Sequence, residues 1–290
     1  MAKKRLTLSF EGHSIRMLIA RGDQVMAWQA VELSPAQMTQ GLIADAPAVG
    51  EALAGLLAEH KVPRQRVITG VTGHRTLSRI LSLPAVKASL LEEAVRHKAR
   101  QEMALPAQDT YLSWQQIGQE NGNLQVYAFA VPRALVDQHV LALKAARLKP
   151  AALELLPLAL ARATHRSEAI VVNLEEHSQG VVIVRQGIPV ILRSVPSSGA
   201  GEQLAQRLER LAQELGRTAQ FYNDSHREDP LGPESVVYAT GSLLESEESR
   251  ASLARLTPYP VQLPSPPLQI PEGFPLATYA ANLGLAMKKV

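Results

Sequence analysis

The most constraining feature of the chain is an internal repeat. Residues 11–31 read E-G-H-S, then an apolar run, an arginine, a turn and a second apolar run that ends in valine. Residues 175–195 read E-E-H-S and continue with the same series in the same register, without a gap. A repeat of this kind predicts two copies of one supersecondary unit, here three consecutive strands. The two glutamate-containing turns then hold equivalent places, where they can face each other across a cleft.

Each copy extends into a unit of five elements. In the first half, apolar spacing predicts strands over 5–10, 14–20 and 24–33, a loop over 34–44, a helix from Pro47 to near His60 and a strand over 66–72. In the second half it predicts three strands between 168 and 195, a helix within 201–222 and a strand over 235–240. A repeated β-β-β-α-β unit predicts an α/β protein with mixed sheets and helices packed on their faces.

Other segments lie between and after the two copies. Strands over 75–83, 110–117 and 124–131 and a helix over 87–103 predict a small α/β block inserted into the first half. A helix over 132–148 then returns the chain to the main sheet. Residues 257–275 are rich in proline, which favours an edge strand and a rigid connection over a polyproline II ligand. A closing helix is predicted over 276–289.

Composition excludes several classes of function. The net charge is +3, aromatic residues make up 4% of the chain, and no basic run is interleaved with them, so nucleic-acid binding is not expected. The absence of cysteine excludes disulfides and cysteine-metal sites, and it fits a reducing cytoplasm. No apolar run approaches the roughly 20 residues that span a bilayer, and the basic start of the chain lacks the apolar region of a signal peptide. We therefore expect a soluble protein without membrane insertion.

A series of short motifs runs in order along nearly the whole chain. The motifs are Gly41–Asp45, Thr76–Pro84, Leu91–Val95, Ala104–Pro106, Ala128–Pro132, Ala145–Pro150, Arg217–Tyr222 and Tyr279–Met287. Together with the duplicated unit, this series resembles the PilM family, FtsA-like cytoplasmic proteins of type IV pilus assembly within the actin-like ATPase superfamily.

The resemblance implies an architecture. It implies an α/β, actin-like fold, in which a ribonuclease H-like β-β-β-α-β unit is duplicated, with an FtsA-like inserted subdomain. The expected parts are a first actin-like subdomain over 1–72 and 131–166, the inserted subdomain over 73–130, a second actin-like subdomain over 167–275 and a closing helix over 276–290. Relatives carry a further subdomain after the second hairpin, whereas here residues 197–201 run straight into the next helix. The second domain is therefore expected to be truncated and to lack one wall of the nucleotide cleft.

The content of the two hairpins argues against the chemistry of the family. Competent relatives carry Asp-x-Gly at both phosphate hairpins, where aspartate helps to hold hydrated magnesium and small residues let backbone N–H groups approach the phosphates. The degenerate positions in this chain are Ser9, Glu11, Gly12, His13, Ser14, Asn173, Glu175, Glu176, His177, Ser178, Gly241 and Ser242. We therefore expect a pseudo-ATPase with no catalytic residue, no metal and no cofactor. The alternative is an ATP-binding protein that uses magnesium, in which Glu11 or Glu175 replaces the missing aspartate.

Two further interpretations of the turns remain. If the hairpins face each other, His13 and His177 approach several carboxylates and can hold zinc or another divalent ion. The preferred interpretation is two turns with solvated tips that cap local backbone. A hydrolase site has no support, since the chain has no cysteine and no Gly-x-Ser-x-Gly motif, and a sugar or acetate kinase of the same superfamily is disfavoured.

The resemblance also implies a partner. In the PilM family, a bitopic, PilN-like inner-membrane protein docks its cytoplasmic N-terminal segment on the first domain, near the inserted subdomain. We therefore expect this chain to be an adaptor that is peripheral to the inner membrane. We also expect it to contact pilus motor or platform proteins. The candidate docking surface is residues 75–84 with the helix over 87–106. Its candidate contact residues are Arg75, Leu77, Arg79, Leu81, Leu83, Arg96 and Arg100. The basic segment around Arg96 can instead face anionic lipid, although a solvated helix face paired with Glu92, Glu93 and Glu102 is favoured.

Overall fold

The computed structural model describes residues 4–39, 42–60, 66–73, 75–103, 109–196 and 202–289. The chain forms two compact units. The main unit comprises Met1–Gly73 and His139–Val290, and the inserted unit comprises His74–Gln138. The Gly41, Ala104–Pro106 and 197–201 portions of the sequence motifs lie outside the described residues.

The first half of the main unit is built on a five-stranded mixed sheet. Its order is β3-β2-β1-β6-β10, in which β1–β3 are antiparallel neighbours and β1, β6 and β10 are parallel. The strands are β1 (Lys4–Glu11), β2 (Ser14–Arg21), β3 (Gln24–Glu32), β6 (Arg66–Val71) and β10 (Lys149–Leu155). Between β3 and β6 lie the two-residue strands β4 (Met38–Thr39) and β5 (Leu42–Ile43), where a loop was predicted, and the helix α1 (Ala46–Glu59). Helix α1 begins at Ala46, one residue before the predicted start at Pro47, and the Asp45 side chain caps it by accepting a hydrogen bond from the Ala48 N–H at 3.0 Å.

The second half repeats this sheet. Its order is β13-β12-β11-β14-β15. The strands are β11 (Ala169–Leu174), β12 (Ser178–Arg185), β13 (Ile188–Pro196), β14 (Val237–Thr240) and β15 (Val261–Gln262). The two copies share even an irregularity: the register of β2 and β3 shifts between Ile19 and Ala20, and that of β12 and β13 shifts at the equivalent Ile183 and Val184. The predicted duplication of β-β-β-α-β units is confirmed.

Each sheet packs its own helix, and the two halves also exchange a helix. Helix α1 covers the first sheet, and helix α5 (Leu204–Ser225) covers the second. Helix α4 (Leu156–Thr164) follows the last strand of the first sheet but packs on β11 and β12 of the second. Helix α7 (Ala280–Ala286) belongs to the second half in sequence but packs on β1, β2 and β6 of the first sheet. The two helices cross at Gly284, where an added Cβ would lie 1.8 Å from the Ala159 carbonyl oxygen.

The inserted unit is a three-stranded antiparallel sheet of order β7-β9-β8, with one helix packed on it. Its elements are β7 (Leu77–Pro84), α2 (Ala88–Met103), β8 (Thr110–Glu120) and β9 (Asn123–Pro132). The helix α3 (Arg133–Ala145) follows β9. Strand β7 pairs with β9 only, so it is an edge strand of this sheet in the described part of the chain.

Two predictions near the C-terminal end of the chain were incomplete. The short 3₁₀ helix η1 (Ser242–Leu244) and the helix α6 (Glu247–Leu256) were not predicted. The closing helix α7 begins at Ala280 rather than near residue 276, because the Thr278 N–H and hydroxyl both donate to Glu245 at 2.7 Å and hold this segment in a turn. The link from β13 to α5 spans only residues 197–203, so the expected short connection is confirmed, while the exact domain boundaries stay a prediction.

Candidate functional site

The two repeated turns touch each other. Gly12 has a φ of +60°, and a Cβ added there would lie 2.9 Å from the His177 Cδ2 atom. The rings of His13 and His177 pack edge to face, with centroids 4.4 Å apart. The prediction that the turns lie opposite each other holds, but the space between them is filled by side chains of the chain itself.

A buried ion pair joins the two hairpins behind these turns. The Arg16 guanidinium, on β2, donates to both carboxylate oxygens of Glu175 at 2.7 Å, and its Nη1 also donates to the Thr278 carbonyl at 3.0 Å. Arg16 also lies 3.6 Å from the Glu11 carboxylate. The bidentate geometry is the strongest that an arginine and a carboxylate can adopt. Arg16 thus fastens the first half of the main unit to the second.

Glu175 is held from its other side by the loop after β14. The Ser242 hydroxyl donates to Glu175 Oε2 at 2.7 Å, and the Ser242 N–H donates to Oε1 at 3.2 Å. The preceding Gly241 has a φ of +99°, and a Cβ there would lie 2.3 Å from the Leu174 carbonyl oxygen. Only glycine fits this approach. Of the two predicted degenerate positions in this loop, Ser242 therefore binds the Glu175 carboxylate and Gly241 allows the close approach.

The predicted polar positions on the strands also take part in this buried network. The Asn173 amide donates to Glu11 Oε2 at 3.5 Å and accepts from the Thr240 hydroxyl at 3.0 Å. The Ser9 hydroxyl donates to Asn282 Oδ1 at 2.8 Å, and the Asn282 amide donates to the Arg16 carbonyl at 3.0 Å. Asparagine 282 is fully buried, so these bonds replace water contacts that it has lost.

The pKa values of the two glutamates are shifted in opposite directions in the folded protein. Burial and the charge of Glu175 raise the pKa of Glu11 well above its ordinary value of 4.5. Burial also opposes ionisation of Glu175, but the charge and hydrogen bonds of Arg16 outweigh it and lower the pKa of that carboxyl. Glu175 is therefore the charged partner of Arg16, whereas Glu11 is held towards its neutral form.

The solvated-tip interpretation is wrong for two of the predicted residues. Glu11 and Glu175 are 7% and 3% exposed, whereas Glu176 is exposed to solvent. Ser14 is buried at the start of β2, and Ser178 stands at the equivalent start of β12, where its carbonyl accepts from the Glu175 N–H at 2.9 Å. Among the described residues no three His, Asp, Glu or Cys side chains form a group that could hold a metal ion, so the zinc interpretation has no support from geometry.

The predicted partner-binding residues of the inserted unit divide into two groups. Arg75, Leu77, Arg79, Arg96 and Arg100 are exposed. Leu81 and Leu83 are 0% and 2% exposed because they pack against α2, so the prediction that their side chains contact a partner is wrong. Arg96 pairs with Glu92 at 2.7 Å and Lys98 pairs with Glu102 at 2.8 Å, as the solvated-face interpretation predicts.

Arg16 is the functional residue that sequence reasoning missed. Its signal was present: it is the one charged residue inside the otherwise apolar run 15–20. A charge at such a position is buried and needs a partner. The identity of that partner could not be read from the sequence, because Glu175 lies 159 residues away along the chain.

Solved structures share this architecture over the whole chain. A chain of a PilM–PilN type IV pilus biogenesis complex superposes with a TM-score of 0.80 at 20% identity, covering 99% of this chain and 98% of that one. The cytoplasmic domain of EpsL, an inner-membrane component of the type II secretion system of Vibrio cholerae, gives 0.58 at 14% identity over 99% and 97%. A Bacteroides thetaiotaomicron protein of unknown function with an actin-like ATPase fold gives 0.53 at 11% identity over 99% and 97%.

These likenesses concern the fold. No family model matches the sequence, and no curated protein matches it either. The chain has the actin-like ATPase fold, and the resemblance drawn from its motifs is confirmed at that level. No helix in the described part of the chain is long and apolar enough to cross a bilayer.

Proposed function

We propose that this chain is a non-catalytic adaptor of a type IV pilus or related inner-membrane assembly machine, and that it binds the cytoplasmic segment of a PilN-like bitopic partner. Two observations support the proposal. The backbone is similar over its whole length to a chain of a PilM–PilN complex, and the place between the two hairpins is occupied by the Arg16–Glu175 ion pair. In this proposal the chain is cytoplasmic and lies at the inner membrane through its partner.

The Arg16–Glu175 pair is the single observation that carries the non-catalytic part. In actin-like ATPases the two hairpins hold the phosphates and magnesium between them. A triphosphate entering here would have to displace two short charged hydrogen bonds and expose two buried carboxylates to its own negative charge. Leaving a buried charge without its partner costs about 3–5 kcal/mol, so entry of a triphosphate at this place is disfavoured.

The partner would dock on the inserted unit. The outer edge of β7 has no strand partner among the described residues, and an extended peptide can add to such an edge through main-chain hydrogen bonds. Leu77 and Ile80 on this strand are 48% and 38% exposed. They offer apolar contacts beside the free edge, while the buried Leu81 and Leu83 keep the strand in place on α2.

The nucleotide arm of the test is calorimetric titration of the full chain with ATP and ADP in the presence of magnesium. We expect no saturable, magnesium-dependent binding at this site. Tight, magnesium-dependent ATP binding that disappears in the Ser242→Tyr variant would overturn the non-catalytic assignment and support the ATP-binding alternative. Ser242 is partly exposed beside Glu175, so a bulky side chain there tests occupancy of the hairpin region.

The partner arm uses the cytoplasmic N-terminal segment of a PilN-like protein from the same organism as a labelled peptide. We expect saturable binding that is weakened about ten-fold or more by Leu77→Asp/Ile80→Asp, since these changes bring charge to the proposed docking edge. The matched control is Leu256→Asp, a change at a residue of similar exposure on α6 of the main unit. No binding by the wild-type chain, or equal loss in the control, would contradict the adaptor proposal.

A further inference from the structure

A concave site lies at the end of the first sheet that is opposite to the hairpins. It is a cavity of about 400 Å³ at the amino ends of the parallel strands β1, β6 and β10. Strand β1 runs from Lys4 at this cavity to Glu11 at the hairpin, and its eight residues separate the two places by roughly 23 Å. The cavity is therefore independent of the nucleotide-like position.

The cavity has an apolar floor and a cationic rim. Ile68 on β6 and Ala151 on β10 supply the floor, and β1 borders the cavity at Leu6, whose side chain is buried in the core with α1. The rim carries five basic side chains, Lys4, Arg5, Arg66, Lys288 and Lys289. They come from three separate places in the sequence, and the fold brings them to one opening.

The charge of this rim is mostly unbalanced. Lys288 pairs with Glu154 at 2.8 Å, but that carboxylate is already bound by Arg162 through two hydrogen bonds of 2.6 and 2.7 Å. Arg5 donates to the Gly22 carbonyl, which is a neutral group. Within the described ranges no carboxylate pairs with Lys4, Arg66 or Lys289.

This arrangement is typical of an anion site. Like charges gathered around a concavity repel one another, and low-dielectric walls focus their field on the space between them. Arginine side chains match the geometry of phosphate with two parallel hydrogen bonds, while lysine supplies a compact point charge. The apolar floor adds a surface that a bare inorganic ion would leave uncovered.

We propose that this cavity binds a phosphate-bearing organic ligand, whose phosphate contacts Arg5, Arg66 and Lys289 and whose organic part lies on Ile68 and Ala151. Two sources supply this chemistry: a soluble organic phosphate, and the headgroup of an anionic phospholipid. The chemistry of recognition is the same in both. The adaptor proposal is not needed for this site, since the cavity belongs to the main unit and the docking edge to the inserted unit.

The test uses the full chain and two probes, inorganic pyrophosphate and vesicles of about 30% phosphatidylglycerol in phosphatidylcholine. We expect saturable pyrophosphate binding that weakens about ten-fold or more in Arg66→Glu/Lys289→Glu. The control, Lys87→Glu/Arg227→Glu, changes the net charge equally at exposed residues outside the cavity. Both variants alter surface side chains, and equal melting temperatures verify that both are folded.

The vesicle arm assigns the source. Vesicle binding that pyrophosphate competes away, and that the cavity variant loses, indicates a lipid headgroup; pyrophosphate binding without vesicle binding indicates a soluble ligand. The proposal is overturned if neither probe binds saturably, or if the cavity and control variants bind alike. The same pair of variants also resolves any ATP binding, because affinity that is lost with Arg66 and Lys289 belongs to this cavity and not to the hairpins.

Discussion

The β1–β2 and β11–β12 hairpins pair their strands in the same register, but only the first has a buried arginine beside its turn, Arg16. Each copy supplies a buried glutamate, Glu11 and Glu175. The first copy has Arg16 on its second strand, whereas the equivalent residue of the second copy is Gly180. A Cβ at Gly180 would lie 2.9 Å from the Arg193 carbonyl oxygen, so no larger side chain fits there. One guanidinium therefore serves two carboxylates.

This difference leaves one buried cation between two buried carboxyl groups. With one positive and two potentially negative groups in the same buried space, the balance is reached when one carboxyl keeps its proton. Arg16 pairs with the glutamate of the other half, and this bond joins the two halves behind the turns. The two copies therefore share their architecture but differ in the charge that each brings to the space between the hairpins.

Removing the shared arginine is expected to have the largest effect. Arg16→Ala leaves Glu175 and Glu11 buried without a cation, which we expect to lower the free energy of unfolding by about 3–5 kcal/mol. Urea denaturation measures this loss. Arg21→Ala, at the exposed end of the same strand, is the control and should change stability by no more than about 0.5 kcal/mol. Equal effects of the two substitutions would show that the ion pair does not join the halves.

A substitution at the crossing of the two exchanged helices is expected to have the next largest effect on stability. Gly284→Ala places a methyl group against the Ala159 backbone at the crossing of α4 and α7, and we expect a loss of about 1–3 kcal/mol because neither helix backbone can yield freely. Gly55→Ala is the matched control: it lies on the exposed face of α1 with nothing within 4 Å of the new Cβ. That change should raise stability by about 0.5–1 kcal/mol, since alanine favours the helix. A neutral result at Gly284 would contradict the close crossing.

Substitutions in the two turns are expected to change stability less than the two changes above. Gly12→Ala brings a Cβ within 2.9 Å of His177 and places a side chain at a φ of +60°, so we expect a loss of about 1 kcal/mol. The equivalent residue of the second copy is the exposed Glu176, and Glu176→Ala should leave the melting temperature almost unchanged. Thermal denaturation of both variants tests whether the two turns are packed asymmetrically. Equal shifts would indicate that the first turn does not press on His177.

Much of the fold could be predicted because period-2 alternation and repetition are local signals. The ends of β1 and β2 fell within about one residue of the prediction. Helix α6 was missed although its start has a sequence signal: the Ser246 side chain accepts from the Ser249 N–H at 3.1 Å, and Glu247 and Glu248 follow in the first turn. The site was harder to predict, since the meeting of Arg16 with Glu175 depends on tertiary structure. The motifs identified the residues of the two hairpins but not the Arg16–Glu175 bond that joins them.

The smallest effect, and the sharpest test of the asymmetry, is expected from Glu11→Gln. Glu11 has a raised pKa, so the folded protein holds its proton more tightly than the unfolded chain does. Its stabilising contribution is fully present below its ordinary pKa of 4.5 and is lost as the pH rises through the folded value. Glutamine is neutral at every pH and does not suffer this loss. At acid pH the variant should therefore match the wild type to within about 0.5 kcal/mol, and it should become the more stable of the two as the pH rises.

Glu175→Gln is the matching substitution in the second hairpin, and its stability is expected to depend on pH in the opposite direction. The pKa of Glu175 is lowered by Arg16, so its contribution is present above the ordinary value and is lost as the pH falls through the folded value. Its variant should be destabilised at neutral pH, and the gap to the wild type should narrow in acid. Urea denaturation of both variants from about pH 2 to about pH 9 measures the two opposite slopes. Parallel slopes would mean that the two glutamates share the charge equally, and the asymmetry between the hairpins would then lie in packing alone.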